Sequence, residues 1–172
     1  MIIVLQRVSQ ASVTIDNLVH SSIEKGFVAL VGFQPDDNDE DLAFMVRKIT
    51  NIRIFDDEKG ALNKSISDIN GDILLVPNFT LAADTTRGNR PGFSTAMPPD
   101  IAKPMFEKFV DEANIKANLL FKEKDPEAFK HKYGANVDHS ALIHKPLQSP
   151  SAKWFHLVNH FKACYGTFIM GM

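Results

Sequence analysis

Apolar and polar positions alternate from the start of the chain. Residues 2–8 and 11–15 are rich in β-branched side chains, and Asp16-Asn17 separates them from a further extended piece at 19–23. This predicts two strands, a turn and a short third strand. After Gly26, the run Phe27-Val28-Ala29-Leu30-Val31-Gly32-Phe33 is almost wholly apolar, as expected of a strand covered on both faces. The period then lengthens. Leu42, Met45, Val46 and Ile49 are spaced by three and four and predict one face of a helix, entered through Asp36-Asp37-Asn38-Asp39 with Asp37 or Asp39 as its cap. That acidic group reads as a solvated helix start rather than a metal site. Ile52-Arg53-Ile54-Phe55 returns to strand alternation before the polar turn Asp56-Asp57-Glu58-Lys59-Gly60, and Asn70-Gly71 launches a buried strand over 72–76. Residues 99–118 predict a second helix, with Pro104 in its first turn and Phe106, Phe109, Val110 and Ala113 along one face. Strands interleaved with two main helices define an α/β fold with a layered sheet.

The pattern fades after Phe121. Pro146, Ser149, Pro150 and Ser151 make a linker-like break, and 154–161 can form a short amphipathic helix. The organisation expected is a single domain over 1–146 and an atypical extension over 147–172. A chain of 172 residues suits one core. No run approaches the roughly 18 to 20 apolar residues of a membrane span, and the N-terminal run is interrupted by Arg7, too early for a signal segment. A lone cysteine, Cys164, excludes an internal disulfide and points to a reducing, cytoplasmic setting. The net charge of −2 argues against a protein held mainly by phosphates, so DNA is not an expected partner and any RNA contact is local. His156 and His160 are spaced to share a helical face, with His139, His144 and Cys164 nearby, but no third ligand has convincing spacing, and surface histidines are the plainer reading.

Candidate chemistry concentrates between Leu75 and Phe93, where an apolar strand runs into a polar loop containing glycine and proline. Strand ends of this kind commonly carry ligand sites. Asn78 offers a donor and an acceptor and Thr80 a hydroxyl, and backbone N–H groups at the strand end can meet a developing oxyanion. Arg87 and Arg90 can meet phosphate; alternatively, the threonine is an ordinary strand residue and the arginines are merely solvated.

This stretch also carries a resemblance. Gln6-Arg7-Val8 followed by Ala11-Ser12-Val13, the Gly26 to Gly32 strand, Arg53-Ile54-Phe55, Phe79-Thr80-Leu81-Ala82-Ala83-Asp84 and Arg87-Gly88-Asn89-Arg90-Pro91-Gly92-Phe93 resemble the D-aminoacyl-tRNA deacylases, in the same order, over roughly residues 1 to 120. The resemblance implies a homodimeric, cofactor-free and metal-free hydrolase. Such an enzyme cleaves the ester joining a D-amino acid, or mischarged glycine, to tRNA, and so proofreads translation. It assigns catalysis to Thr80 and Asn78 and substrate binding to Phe79, Leu81, Ala82, Arg7, Val137 and Pro146. The tRNA's own 2′-hydroxyl is credited with assisting hydrolysis, and Lys122, Lys124, Lys130 and Lys132 with Phe121, Phe129 and Tyr133 interleaved can grip the acceptor end or form a plain charged face.

Two positions depart from the family pattern. Pro77-Asn78 stands where Ser-Gln is usual, and Pro77 removes an N–H. Near the C-terminus, the family's Gly-Pro pair, which enters the partner's pocket and excludes L-amino acids, has only His144-Lys145-Pro146 as its nearest candidate, after Tyr133-Gly134-Ala135-Asn136-Val137. Three readings stand: an active deacylase, a homologue that binds tRNA or a protein without turnover, and an unrelated small-molecule hydrolase.

Overall fold

The computed structural model describes residues 1–127 and 167–171. Four strands, β1 (Ile2–Val8), β2 (Ala11–Ile15), β3 (Leu18–Ile23) and β4 (Gly26–Gly32), precede helix α1 (Asp39–Asn51). Short strands β5 (Phe55–Asp56) and β6 (Leu62–Lys64) lead to β7 (Asp72–Pro77), helix α2 (Pro99–Lys124) and β8 (Thr167–Gly171). The main sheet is mixed and runs β7-β4-β1-β8, with β4 and β7 parallel and β1 antiparallel to both its neighbours. The expected α/β fold, a mixed sheet with two main helices, is what the chain forms. Strand β8 lies inside the segment expected as an extension, so that end of the chain contributes to the main sheet.

Strand β4 shows why an unbroken apolar run was needed. Phe27, Ala29 and Val31 face one core with Ile3, Leu5, Leu42, Met45, Ile49, Phe106 and Phe109, while Val28 faces a second core with Val13, Ile15, Leu74 and Val76. The first core is covered by both helices. The second is covered by the β2–β3 hairpin, whose turn residues Asp16 and Asn17 take φ of 50° and 62°, matching the primed turns that suit twisted hairpins. Phe109 is fully buried, and replacing it with alanine costs about 3–5 kcal/mol in a site of this kind. Gly26 lets β4 approach β7, since a Cβ there falls 1.9 Å from the Asp72 carbonyl oxygen.

Several boundaries differ from the sequence expectation. Asn38 caps α1, not Asp37 or Asp39: its side chain accepts from the N–H groups of Glu40 and Asp41, and the Asp41 carboxylate accepts from the Asn38 N–H at 3.0 Å. Asp37 is occupied instead by the Gln34 N–H at 2.7 Å and by the Met1 ammonium. Ile52 to Ile54 leave the helix without joining a strand; only Phe55–Asp56 pairs, with the unforeseen β6. Helix α2 continues to Lys124, and Pro104 lies inside it rather than in its first turn. The longer helix is held at its end by the Lys124–Asp68 ion pair.

Candidate functional site

Strand β7, which ends at Pro77, is an edge strand of the sheet among the described residues. The Asn78 N–H donates to the Val31 carbonyl at 2.7 Å, so the N–H that Pro77 lacks would have pointed the other way, off the edge. Proline is tolerated at such positions, and Pro77 costs the ladder no bond. The backbone then tightens into a single 3-10 turn over Phe79–Ala82, capped by Asn78.

The Asn78 Oδ1 accepts two hydrogen bonds, from the Thr80 N–H at 3.0 Å and from the Thr80 hydroxyl at 2.6 Å. Because a backbone N–H can only donate, this fixes which end of the amide is oxygen. The Asn78 Nδ2 is left as a donor with no partner among the described residues, and the Thr80 hydroxyl, its proton committed, presents lone pairs. Both side chains are half-buried. The expectation of free backbone amides fares differently. The N–H groups of Asn78, Thr80 and Leu81 are used by Val31, Asn78 Oδ1 and the Asn78 carbonyl, because the turn closes on its own cap. The Asn78 Nδ2 is therefore one donor that this turn offers.

Gly32 makes the turn's position possible. A Cβ there would stand 2.9 Å from the Asn78 carbonyl oxygen and 3.0 Å from the Leu81 Cβ. After the turn the chain forms a closed loop: Asp84 and Gly92 exchange both backbone hydrogen bonds at 2.8 Å, and Phe93 meets Phe79 edge-on at 5.1 Å between ring centres. The loop returns to the core through the Met97 N–H, which donates to the Phe33 carbonyl at 3.0 Å, and Thr95 donates to the Ala82 carbonyl. The Asp84 carboxyl is held below its usual range by the Thr86 backbone N–H and the Thr86 side chain. Gly32, Asp84 and Phe93 thus position the site, and sequence reasoning gave them no role. A glycine closing an apolar strand just before a helix was the available signal.

Asn78, Phe79, Thr80, Leu81 and Ala82 are brought together; Arg7 is not. Arg7 pairs opposite Phe27, whereas Gly32, against which the turn packs, pairs opposite Ile2. Five strand positions separate them, roughly 16 Å at the usual rise per residue. The Arg7 guanidinium donates instead to the Ile54 carbonyl at 3.1 Å and to Asp56 at 3.3 Å. Val137, Pro146, Lys130, Lys132, Phe129, Tyr133, His139, His144, His156, His160 and Cys164 lie outside the described residues. Among the described residues no cluster of three or more His, Cys, Asp or Glu is placed to hold a metal, and no helix is long and apolar enough to cross a membrane.

Comparison with solved structures places this architecture in the class of tRNA deacylase folds. A probable eukaryotic D-amino acid tRNA deacylase superposes with a TM-score of 0.54 at 17% identity, covering 98% of this chain and 92% of its own. A c-Myc DNA unwinding element binding protein superposes with a TM-score of 0.61 at 35% identity, covering 75% of this chain and 81% of its own. Within that class, the D-Tyr-tRNA(Tyr) deacylase family matches residues 4–140, and the chain belongs to it. The chain is 51% identical over 114 residues to a D-aminoacyl-tRNA deacylase of Chlorobaculum tepidum, covering 66% of this chain and 76% of the relative. It is 53% identical over 107 residues to one from Limosilactobacillus reuteri, covering 62% and 74%.

Proposed function

We propose that this chain hydrolyses the ester of D-aminoacyl-tRNA, and of mischarged glycyl-tRNA, as a cytoplasmic homodimer that proofreads translation. The observation that carries the reading is the Asn78–Thr80 turn: an amide oriented by two hydrogen bonds, with its Nδ2 donor unspent among the described residues, beside a hydroxyl whose proton is committed. Water adds to the ester carbonyl carbon, charge grows on the carbonyl oxygen, and the Asn78 Nδ2–H meets that charge. The carbon–oxygen bond to the ribose then breaks and the ribose oxygen takes a proton, releasing the amino acid and the tRNA. A fixed donor at such a position is worth about 10²–10³ in rate.

Asn78, Phe79, Thr80, Leu81 and Ala82 carry no titratable side chain, so the turn supplies no general base. This favours a substrate that assists its own hydrolysis, the vicinal 2′-hydroxyl of the terminal ribose taking the water's proton as it passes its own to the leaving 3′-oxygen. Phe79, Leu81 and Ala82 line the carbonyl's approach. Arg7, Val137 and Pro146 belong to this reading as residues that a second copy brings to the site.

The test is hydrolysis of D-Tyr-tRNA, L-Tyr-tRNA and Gly-tRNA by the purified chain, with Thr80→Ala alongside. Loss of the D- and glycyl esters with the L-ester spared, and strong impairment of Thr80→Ala, is the expected result. A folded protein that turns over none of the three overturns it and leaves a binding homologue.

A further inference from the structure

We infer that the loop closed by Asp84 and Gly92 is a phosphodiester grip, in which Arg87 and Arg90 hold the backbone of the single-stranded 3′ end of the RNA. This deepens the proposed function and rests on it for the identity of the RNA. Four observations place it there.

First, both guanidinium groups are exposed, and among the described residues neither has a hydrogen bond or ion pair. The nearest carboxylate in sequence, Asp84, is turned onto its own loop, where its Oδ1 accepts from the Thr86 N–H at 2.9 Å. No other acidic residue occurs between Asp84 and Asp100, so among the described residues two positive charges stand without an ion-pair partner. Guanidinium is the side chain best matched to phosphate oxygens.

Second, the loop is held at its base. The Asp84–Gly92 pair closes it with two backbone hydrogen bonds, and Gly88, between the arginines, takes a φ of 144° that side chains rarely adopt. Third, the grip is fixed relative to the chemistry, because the Phe79–Phe93 ring contact ties the loop to the catalytic turn. A substrate whose ester lies at Asn78 must lead its phosphodiester chain away from that point. Fourth, Phe93 is 40% exposed and offers a face on which an unpaired base can stack, as is usual for single-stranded RNA.

The experiment uses the full chain, the Arg87→Ala/Arg90→Ala double variant and the corresponding double lysine variant. Two substrates are compared, D-Tyr-tRNA and 3′-D-tyrosyl-adenosine, which has no phosphodiester. In parallel, fluorescence anisotropy follows binding of an uncharged acceptor-stem hairpin with a single-stranded CCA end. For D-Tyr-tRNA the alanine variant raises KM about tenfold, and its plot of log(kcat/KM) against log[salt] flattens by about 1.4, at ~0.7 for each single-strand phosphate lost. The lysine variant retains most of that slope, and the penalty on tyrosyl-adenosine stays below about twofold. An unchanged salt slope, or an equal loss on both substrates, overturns the grip. If the wild type turns over no ester yet binds the hairpin with a slope that the alanine variant flattens, the catalytic reading fails and the grip stands. If it neither turns over nor binds, both fall.

Discussion

Asn78 caps its turn and, in the proposed mechanism, donates to the ester carbonyl, and two substitutions separate these roles. Asn78→Ala removes the cap of the Phe79–Ala82 turn together with the Nδ2 donor. Asn78→Asp keeps an oxygen to accept from the Thr80 N–H and hydroxyl, and exchanges only the donor for a second carboxylate oxygen. Loss of a side-chain cap costs about 1 kcal/mol, which for a chain of this size lowers the Tm by about 2–4 °C. Loss of a donor to a developing oxyanion costs about 10²–10³ in kcat, and a negative charge in its place is at least as harmful. The alanine variant is therefore expected to lose both stability and activity. The aspartate variant should match wild-type Tm to within about 1 °C while losing about as much activity. Thermal unfolding by circular dichroism and single-turnover hydrolysis of D-Tyr-tRNA measure the two quantities independently. An aspartate variant with wild-type kcat refutes the assignment of Nδ2 as the carbonyl donor, and one as destabilised as alanine refutes the capping geometry.

Gly32→Ala drives a methyl group against the Asn78 carbonyl and the Leu81 Cβ; the overpacking costs about 1–3 kcal/mol, and hydrolysis of D-Tyr-tRNA should fall more than tenfold as the turn shifts, so a fully active variant overturns the packing argument. Asp68 is held down to about 2, first by Lys124 and then by Ser65, so its contribution is complete above the ordinary carboxylate range and lost as pH falls through about 2. Screening at a carboxyl a third exposed reduces that contribution to about 1 kcal/mol; Asp68→Asn should lower the urea midpoint at pH 7, and by progressively less as pH falls towards about 2. For the proposed dimer, mixing inactive Arg7→Ala with inactive Thr80→Ala under subunit exchange should restore about a quarter of wild-type activity, because a two-fold dimer of unlike chains contains one intact site; no recovery once mixed dimers have formed shows that Arg7 does not act in the partner's site.

The fold was legible where one residue type dominates a face. Strand β4 announced its two cores by lacking polar residues, and α1 and the first half of α2 announced their buried faces through spacing. Legibility failed where short-range geometry decides. Asn38, rather than its acidic neighbours, sits at the extended position from which a side chain reaches back to two amides. The buried face of α2 continues through Asn114 and Asn118, polar residues that interrupt the apolar count and hide the last turns. Strand β5 was displaced because Ile52 and Ile54 alternate like strand residues but serve to end α1 and to accept from Arg7. At the site, the residue types were readable and their bonding was not. A resemblance named Asn78 and Thr80, but only the folded turn shows that the two are bonded to each other, which changes what each has left to offer.

That bonding also bears on the Pro77-Asn78 departure from the family pattern. Pro77 sits where its missing N–H faces the edge of the sheet among the described residues, and Asn78, one methylene shorter than glutamine, reaches the Thr80 N–H and hydroxyl from the cap position. The proline shapes the strand end with no loss of pairing, and the shorter side chain keeps the acceptor within reach. The turn is thus complete without help, whereas Arg7, at the far end of the β1–β4 pair and occupied with Ile54 and Asp56, cannot serve the turn of its own chain. In the proposed dimer, any part Arg7 plays in substrate selection is therefore played across the subunit boundary.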